Sequence, residues 1–364
     1  MIIYTINLLL VTFLSSNVKT LTNKLKKNRF SISRSQICLI IICLMFISLY
    51  AFRFRVGADF EAYYNGFYNM ENASIISLSK NRDWLFDYLV YFDFHFFNKN
   101  YILHAIILGI LTYVPVMFVF YKLSDNLYLT LYVYICLGLF YFPMNGVRQG
   151  IAISFSFLSI YFLYNKKYIF SMMLLISAFL FHSTAIFVLI FYPMLKKSIN
   201  SKMNIIYYII LFISSIFFSS SWNALLDIFS QLGQTKLVND YSNVAFDGSG
   251  GSNIFRTLVV LFPVILAFFN KKLKFLTKKD NLIFNCSIIS LIFMFVSLRG
   301  WIFARFAYYF LMFFPLIISN ELNIVKEKDK RIFNLIVMVL FYIYMIFFVK
   351  NDSMLIPYRF IWNG

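Results

Sequence analysis

Hydrophobic runs of about 15 to 21 residues recur from one end of the chain to the other, and this feature decides its solvent. In lipid the backbone polar groups of each run must bond within their own segment, which leaves helices. Of the residues, 61% are apolar and 13% charged, about half the charged share of an ordinary globular domain. The chain therefore reads as an all-α polytopic membrane protein of about twelve transmembrane helices (range about 10–14), one integral membrane domain over residues 1–364.

A net charge of +18 raises nucleic acid as a partner, so the placement of the cations matters. The first apolar run, Ile2 to Leu14, has no basic residue ahead of it and Lys19, Lys24, Lys26, Lys27, Arg29 and Arg34 behind it. That is the reverse of a cleavable signal peptide, and it predicts an anchor whose amino end is outside. Alternation from there gives spans near 2–18, 36–52, 101–121, 127–143, 150–164, 168–181, 183–195, 204–221, 254–270, 281–297, 303–319 and 332–349. The inner loops then hold 21 of the 33 Lys and Arg but 5 of the 15 Asp and Glu. This positive-inside bias accounts for the charge, and no nucleic acid is needed. The four cysteines lie inside spans and form no disulfide or zinc pattern.

Two outer segments are long enough to build something. Residues 53–100 contain Trp84 to Phe97, where Asp87, Asp93 and His95 make a poor spanning helix; an interfacial helix is expected. Residues 222–253 end in a Gly- and Ser-rich stretch and read as a flexible outer loop.

The apolar stretch Tyr168 to Leu195 lies between two basic loops, 165–167 and 196–202. A single crossing would invert every later span, so two short helices are expected, each rising about 21 Å and meeting below the outer surface. His182 sits at the break. An ionisable residue at such a point is a functional candidate; the competing reading is a satisfied core histidine.

Three further clusters face outward. Arg55, Asp59 and Glu61 follow the second span: a helix pairs Arg55 with Asp59, with Tyr63 a turn on, whereas an extended chain pairs Asp59 with Glu61. The bland alternative is a salt bridge fixing the helix end. Arg148 and Gln149 stand in a short turn at the start of a span, where free N–H groups and the helix dipole favour a phosphate. Arg299, Arg305 and Tyr308 stand at the outer ends of two consecutive spans; the two arginines there break the positive-inside rule, and fixed guanidinium forks suit pyrophosphate. Lipid headgroup contact is the competing explanation for these arginines.

These residues resemble a known family, the EpsG-like branch of the Wzy bacterial polysaccharide polymerases. The resemblance is carried by Arg55-Val-Gly-Ala-Asp59 with Tyr63 and Tyr64, Arg148-Gln149-Gly-Ile-Ala152, Phe181-His182-Ser183, Arg305 with Tyr308 and Tyr309, and Pro357-Tyr358. It implies a GT-C-like frame in the bacterial inner membrane with the active site facing outward. It also implies metal-independent glycosyl transfer between undecaprenyl-pyrophosphate-linked glycans, as in O-antigen or capsule assembly, with no cofactor. A chain-length regulator and a flippase of the same pathway are the implied protein partners, beside membrane lipid. The resemblance puts Arg148, Arg299 and Arg305 on the departing pyrophosphate, His182 or Asp59 on the hydroxyl proton, and Arg55 behind Asp59. Gln149, Tyr63 and Tyr308 become substrate contacts. A lipid-linked oligosaccharide flippase and a polyisoprenyl-phosphate-sugar glycosyltransferase remain the rival readings.

Overall fold

The computed structural model describes residues 1–18, 34–79, 83–213, 252–269, 277–298, 300, 303–321, 328–351 and 355–363. Its helices are α1 (Ile2–Ser16), α2 (Arg34–Ala51), α3 (Phe60–Tyr68), α4 (Ile75–Leu78), α5 (Trp84–Phe96), α6 (Tyr101–Leu123), α7 (Leu127–Cys136), α8 (Phe142–Asn145) and α9 (Val147–Tyr164). There follow α10 (Tyr168–Phe181), α11 (Phe187–Leu195), α12 (Lys202–Ile213), α13 (Ile254–Phe269), α14 (Lys278–Ser297), α15 (Ala304–Leu311), α16 (Phe314–Glu321) and α17 (Lys330–Asn351). Among the described residues a helix covers at least part of each expected span; 214–221 of the span expected at 204–221 lies outside them, and the helix expected over 127–143 ends at Cys136. Among the described residues α2, α6, α9, α14 and α17 are long and apolar enough to cross a bilayer unaided, and six more apolar helices are shorter. The expected outer loop 222–253 lies outside the described residues, apart from Ser252 and Asn253.

The chain packs as two compact units, Met1–Leu189 with Ile318–Gly364, and Ile190–Ile317. In the first, α2 packs on α6, α6 on α9, α9 on α10, and α7 on both α1 and α17. Small hydroxyl residues close these seams where apolar attraction between helices is weak. Ser159 Oγ donates to the Ser171 carbonyl at 2.5 Å and Ser171 Oγ to the Ser159 carbonyl at 2.9 Å. Ser154 Oγ reaches the Leu111 carbonyl at 2.8 Å. Asn100 starts α6 by accepting from the N–H groups of Ile102 and Leu103, which would otherwise lack partners.

Helix α5 has 13 residues, about 20 Å of rise, so it is too short to span. Asp87 and Asp93 are buried while Phe92 and Phe96 are exposed. The two carboxylates that spoil a spanning helix therefore face protein. Asp93 Oδ2 lies 2.7 Å from Nδ1 of His104, and the Phe67 ring stacks on that imidazole at 4.8 Å. This pair fastens α5 to α6.

The carboxyl-terminal segment returns to the end of α2. Phe54 N–H donates to the Arg359 carbonyl and Ile361 N–H to the Phe52 carbonyl, both at 2.9 Å, with Arg53 and Phe360 bridged between them. Tyr358 Oη adds a bond to the Leu49 carbonyl at 2.7 Å. Arg53 itself is buried, its guanidinium 3.8 Å from the Tyr50 ring centroid.

In the second unit a buried asparagine pair holds the turn between α11 and α12 against α14. Asn285 Nδ2 donates to the Met194 and Lys197 carbonyls at 3.1 and 2.9 Å, and Asn204 Nδ2 donates to Asn285 Oδ1 at 3.2 Å. Thr277 and Asp280 form a capping box at the start of α14. The span expected at 303–319 is two helices joined by a buried turn at Met312 and Phe313.

Candidate active site

The apolar stretch from Tyr168 breaks at His182. Its N–H closes α10 on the Ala178 carbonyl at 2.9 Å, and its backbone is extended at φ −156, ψ 113. The chain then restarts as a 3₁₀ turn, Ser183–Ile186, leading into α11. A restarting helix leaves N–H groups without partners. Here Asp83 supplies one, since its Oδ1 accepts from Ser183 N–H at 3.1 Å.

The other oxygen of Asp83 meets the ring. Oδ2 lies 3.1 Å from His182 Nδ1 and 3.7 Å from Arg148 Nη1, and Arg148 Nη2 lies 3.1 Å from Asp87 Oδ1. Asp83 and Asp87 are four apart at the start of α5, so both reach the same guanidinium. The Phe86 ring lies beneath it at 4.9 Å, and Tyr63 meets Phe86 edge-on at 5.7 Å. Burial alone would push the Asp83 carboxyl up. His182, Ser183 N–H and Arg148 outweigh it, so the group stays below the usual carboxylate value. Asp83 is then ionised at neutral pH, and its contribution to the fold disappears only as pH falls through that lowered value. Burial pushes the Tyr63 phenol up to about 12, against the pull of Arg148.

Two of the sequence-expected groups, His182 and Arg148, are thus brought together with Tyr63 close by. Arg148 does stand at a helix start, the second residue of α9. The guanidinium expected to await an anion is already engaged by two carboxylates. Gln149 is buried beside it. The Arg55 to Asp59 cluster takes neither pairing expected for it: Arg55, at φ 51, bends away from Asp59 and its Nε bonds Glu61 Oε1 at 2.5 Å. Both partners are more than half exposed, the geometry of a helix-end salt bridge. Asp59 stands at the amino end of α3. Arg305 and Tyr308 lie one turn apart on α15 in the second unit, and Arg299 falls outside the described residues. Sequence reasoning missed Asp83 and the role of Asp87.

The Arg55 loop is pinned to the Arg148 turn. Asn145 Oδ1 accepts from Ala58 N–H at 2.9 Å, and Gly57 sits at φ 100 against the Met144 carbonyl. A Cβ at Gly57 would lie 2.3 Å from that oxygen. Gly57→Ala is expected to cost at least about 2 kcal/mol, from left-handed strain and the clash together. Thermal unfolding of the detergent-solubilised protein measures it, and an unchanged midpoint would contradict the packing.

A family comparison decides what kind of protein carries this cluster: the EpsG sequence profile matches residues 36–360. The chain belongs to the EpsG family. Comparison with curated proteins and with solved structures gives no match. The EpsG assignment covers α2 to the carboxyl-terminal strap and takes in every residue of the cluster. This EpsG-family chain is a polymerase-like membrane protein of surface polysaccharide biosynthesis, of glycosyltransferase type. Among the described residues no group of three His, Cys, Asp or Glu could hold a metal ion.

Proposed function

We propose that this EpsG-family protein lengthens a surface polysaccharide by joining undecaprenyl-pyrophosphate-linked repeat units on the outer face of the inner membrane. The observation that supports it is His182, held by Asp83 at a break between apolar helices with Arg148 alongside. Glycosyl transfer needs a base for the acceptor hydroxyl and cations for the leaving group. In the proposed step the hydroxyl of the incoming unit gives its proton to His182 and its oxygen bonds the anomeric carbon of the growing chain. The bond from that carbon to the phosphate oxygen breaks, and the lipid pyrophosphate leaves with the electron pair.

Arg305 and Arg299 are assigned to the leaving pyrophosphate. Asp59 stays a candidate second base with Arg55 orienting it, and Gln149, Tyr63 and Tyr308 are assigned to the glycan. The reading includes twelve crossings, with the 53–100 and 222–253 loops outside, in a GT-C-like frame. Undecaprenyl-linked glycans, a chain-length regulator and a flippase are its proposed partners.

The transfer is proposed to be metal-independent, because the carboxylate pair that a divalent ion would use holds the Arg148 guanidinium. Membranes from cells expressing the chain are expected to convert lipid-linked repeat units into longer glycans at the same rate with and without chelator. Membranes lacking it should leave single repeats. Loss of lengthening with chelator, restored by a divalent ion, would favour the polyisoprenyl-phosphate-sugar glycosyltransferase.

A further inference from the structure

The charge and hydrogen-bond pattern of the cluster separates two jobs that the pyrophosphate chemistry alone does not. An ionised carboxylate cannot bond a bare nitrogen lone pair, so His182 Nδ1, 3.1 Å from Asp83 Oδ2, carries the hydrogen and donates it. Nε2 is then left as the proton acceptor. Asp83 also holds the backbone at the break through Ser183 N–H, so ring and main chain are located by one side chain. Among the described residues Arg148 is the fixed cation of the cluster, and the carboxylates of Asp83 and Asp87 hold its guanidinium between them. A guanidinium already held by two carboxylates offers a departing pyrophosphate little, while His182 Nε2 remains able to take a hydroxyl proton.

We infer that Asp83 is the positioning residue that presents His182 Nε2 to a sugar hydroxyl, and that this cluster is the acceptor subsite, the pyrophosphate lying elsewhere. The inference rests on the glycosyl-transfer reading. The carboxylates and the partly exposed guanidinium offer hydrogen-bond partners for neutral hydroxyls, and Phe86 and Tyr63 supply the apolar faces on which sugar rings pack.

The test uses the full-length protein in lipid vesicles, lipid-linked repeat units, and inorganic pyrophosphate as competitor. Asp83→Asn is expected to lower the lengthening rate by roughly 10²-fold or more, the scale of a general-base contribution. The loss should fall on kcat, with KM for the lipid-linked repeat unit within about twofold of wild type, and Asp83→Glu should restore part of the rate. A loss confined to KM would overturn the positioning role. The second arm does not depend on folding of an Asp83 variant. Asp87→Asn leaves Arg148 with one carboxylate fewer, so inhibition by inorganic pyrophosphate should stay within about twofold of wild type if the pyrophosphate lies elsewhere. Inhibition tightened about tenfold would place the leaving group on Arg148 and overturn the acceptor subsite. A wild-type protein that lengthens nothing would instead remove the function on which the inference rests.

Discussion

Replacing His182 by alanine is expected to slow glycan lengthening by roughly 10²–10⁴-fold, with single repeats accumulating on the lipid carrier. The expectation follows from position. His182 is not a ring packed into an apolar interior: its Nδ1 is committed to Asp83 and its side chain is 18% exposed, which leaves Nε2 able to meet a substrate. A variant making polysaccharide of full length would remove the residue from the reaction.

Arg148→Ala carries the second large effect, a loss of roughly 10²-fold or more in chain extension at unchanged protein level. Without the guanidinium, Asp83 and Asp87 lose the group that ties both of them to the start of α9. Asp83 also holds His182 Nδ1 and Ser183 N–H, so the defect passes to the placement of the imidazole. Arg148→Lys should recover only part of the loss, because a compact ammonium does not reproduce the planar fork that reaches both carboxylates. Added guanidinium ion should raise the rate of the alanine variant and leave wild type unaffected. Ladders of normal length from Arg148→Ala membranes would contradict this arrangement.

The helical frame was readable because apolar runs in a lipid-dissolved chain have little choice of conformation. The break at His182 was readable for a related reason: two basic loops 28 residues apart, both expected on the inner side, call for two short helices in place of one crossing. Asp83 was not readable. It meets a residue 99 positions away from within a polar stretch that reads as solvated loop, and nothing in the intervening sequence announces such a pairing. The spacing of Asp83, Phe86 and Asp87 over one turn of α5 was the available signal, and Asp87 was read only as an obstacle to spanning. The Arg55 cluster misled in the opposite direction. Residue spacing offered two tidy pairings, but the left-handed backbone at Arg55 turned its side chain to Glu61 instead.

The most direct measurement is purified full-length protein in lipid vesicles, supplied with lipid-linked repeat units and chelator and no other protein. The account predicts a ladder of lengthened lipid-linked glycans, with one undecaprenyl pyrophosphate freed for each unit added and no ladder from His182→Ala. Repeat units that cross the bilayer without growing would contradict it, and would make the chain a flippase.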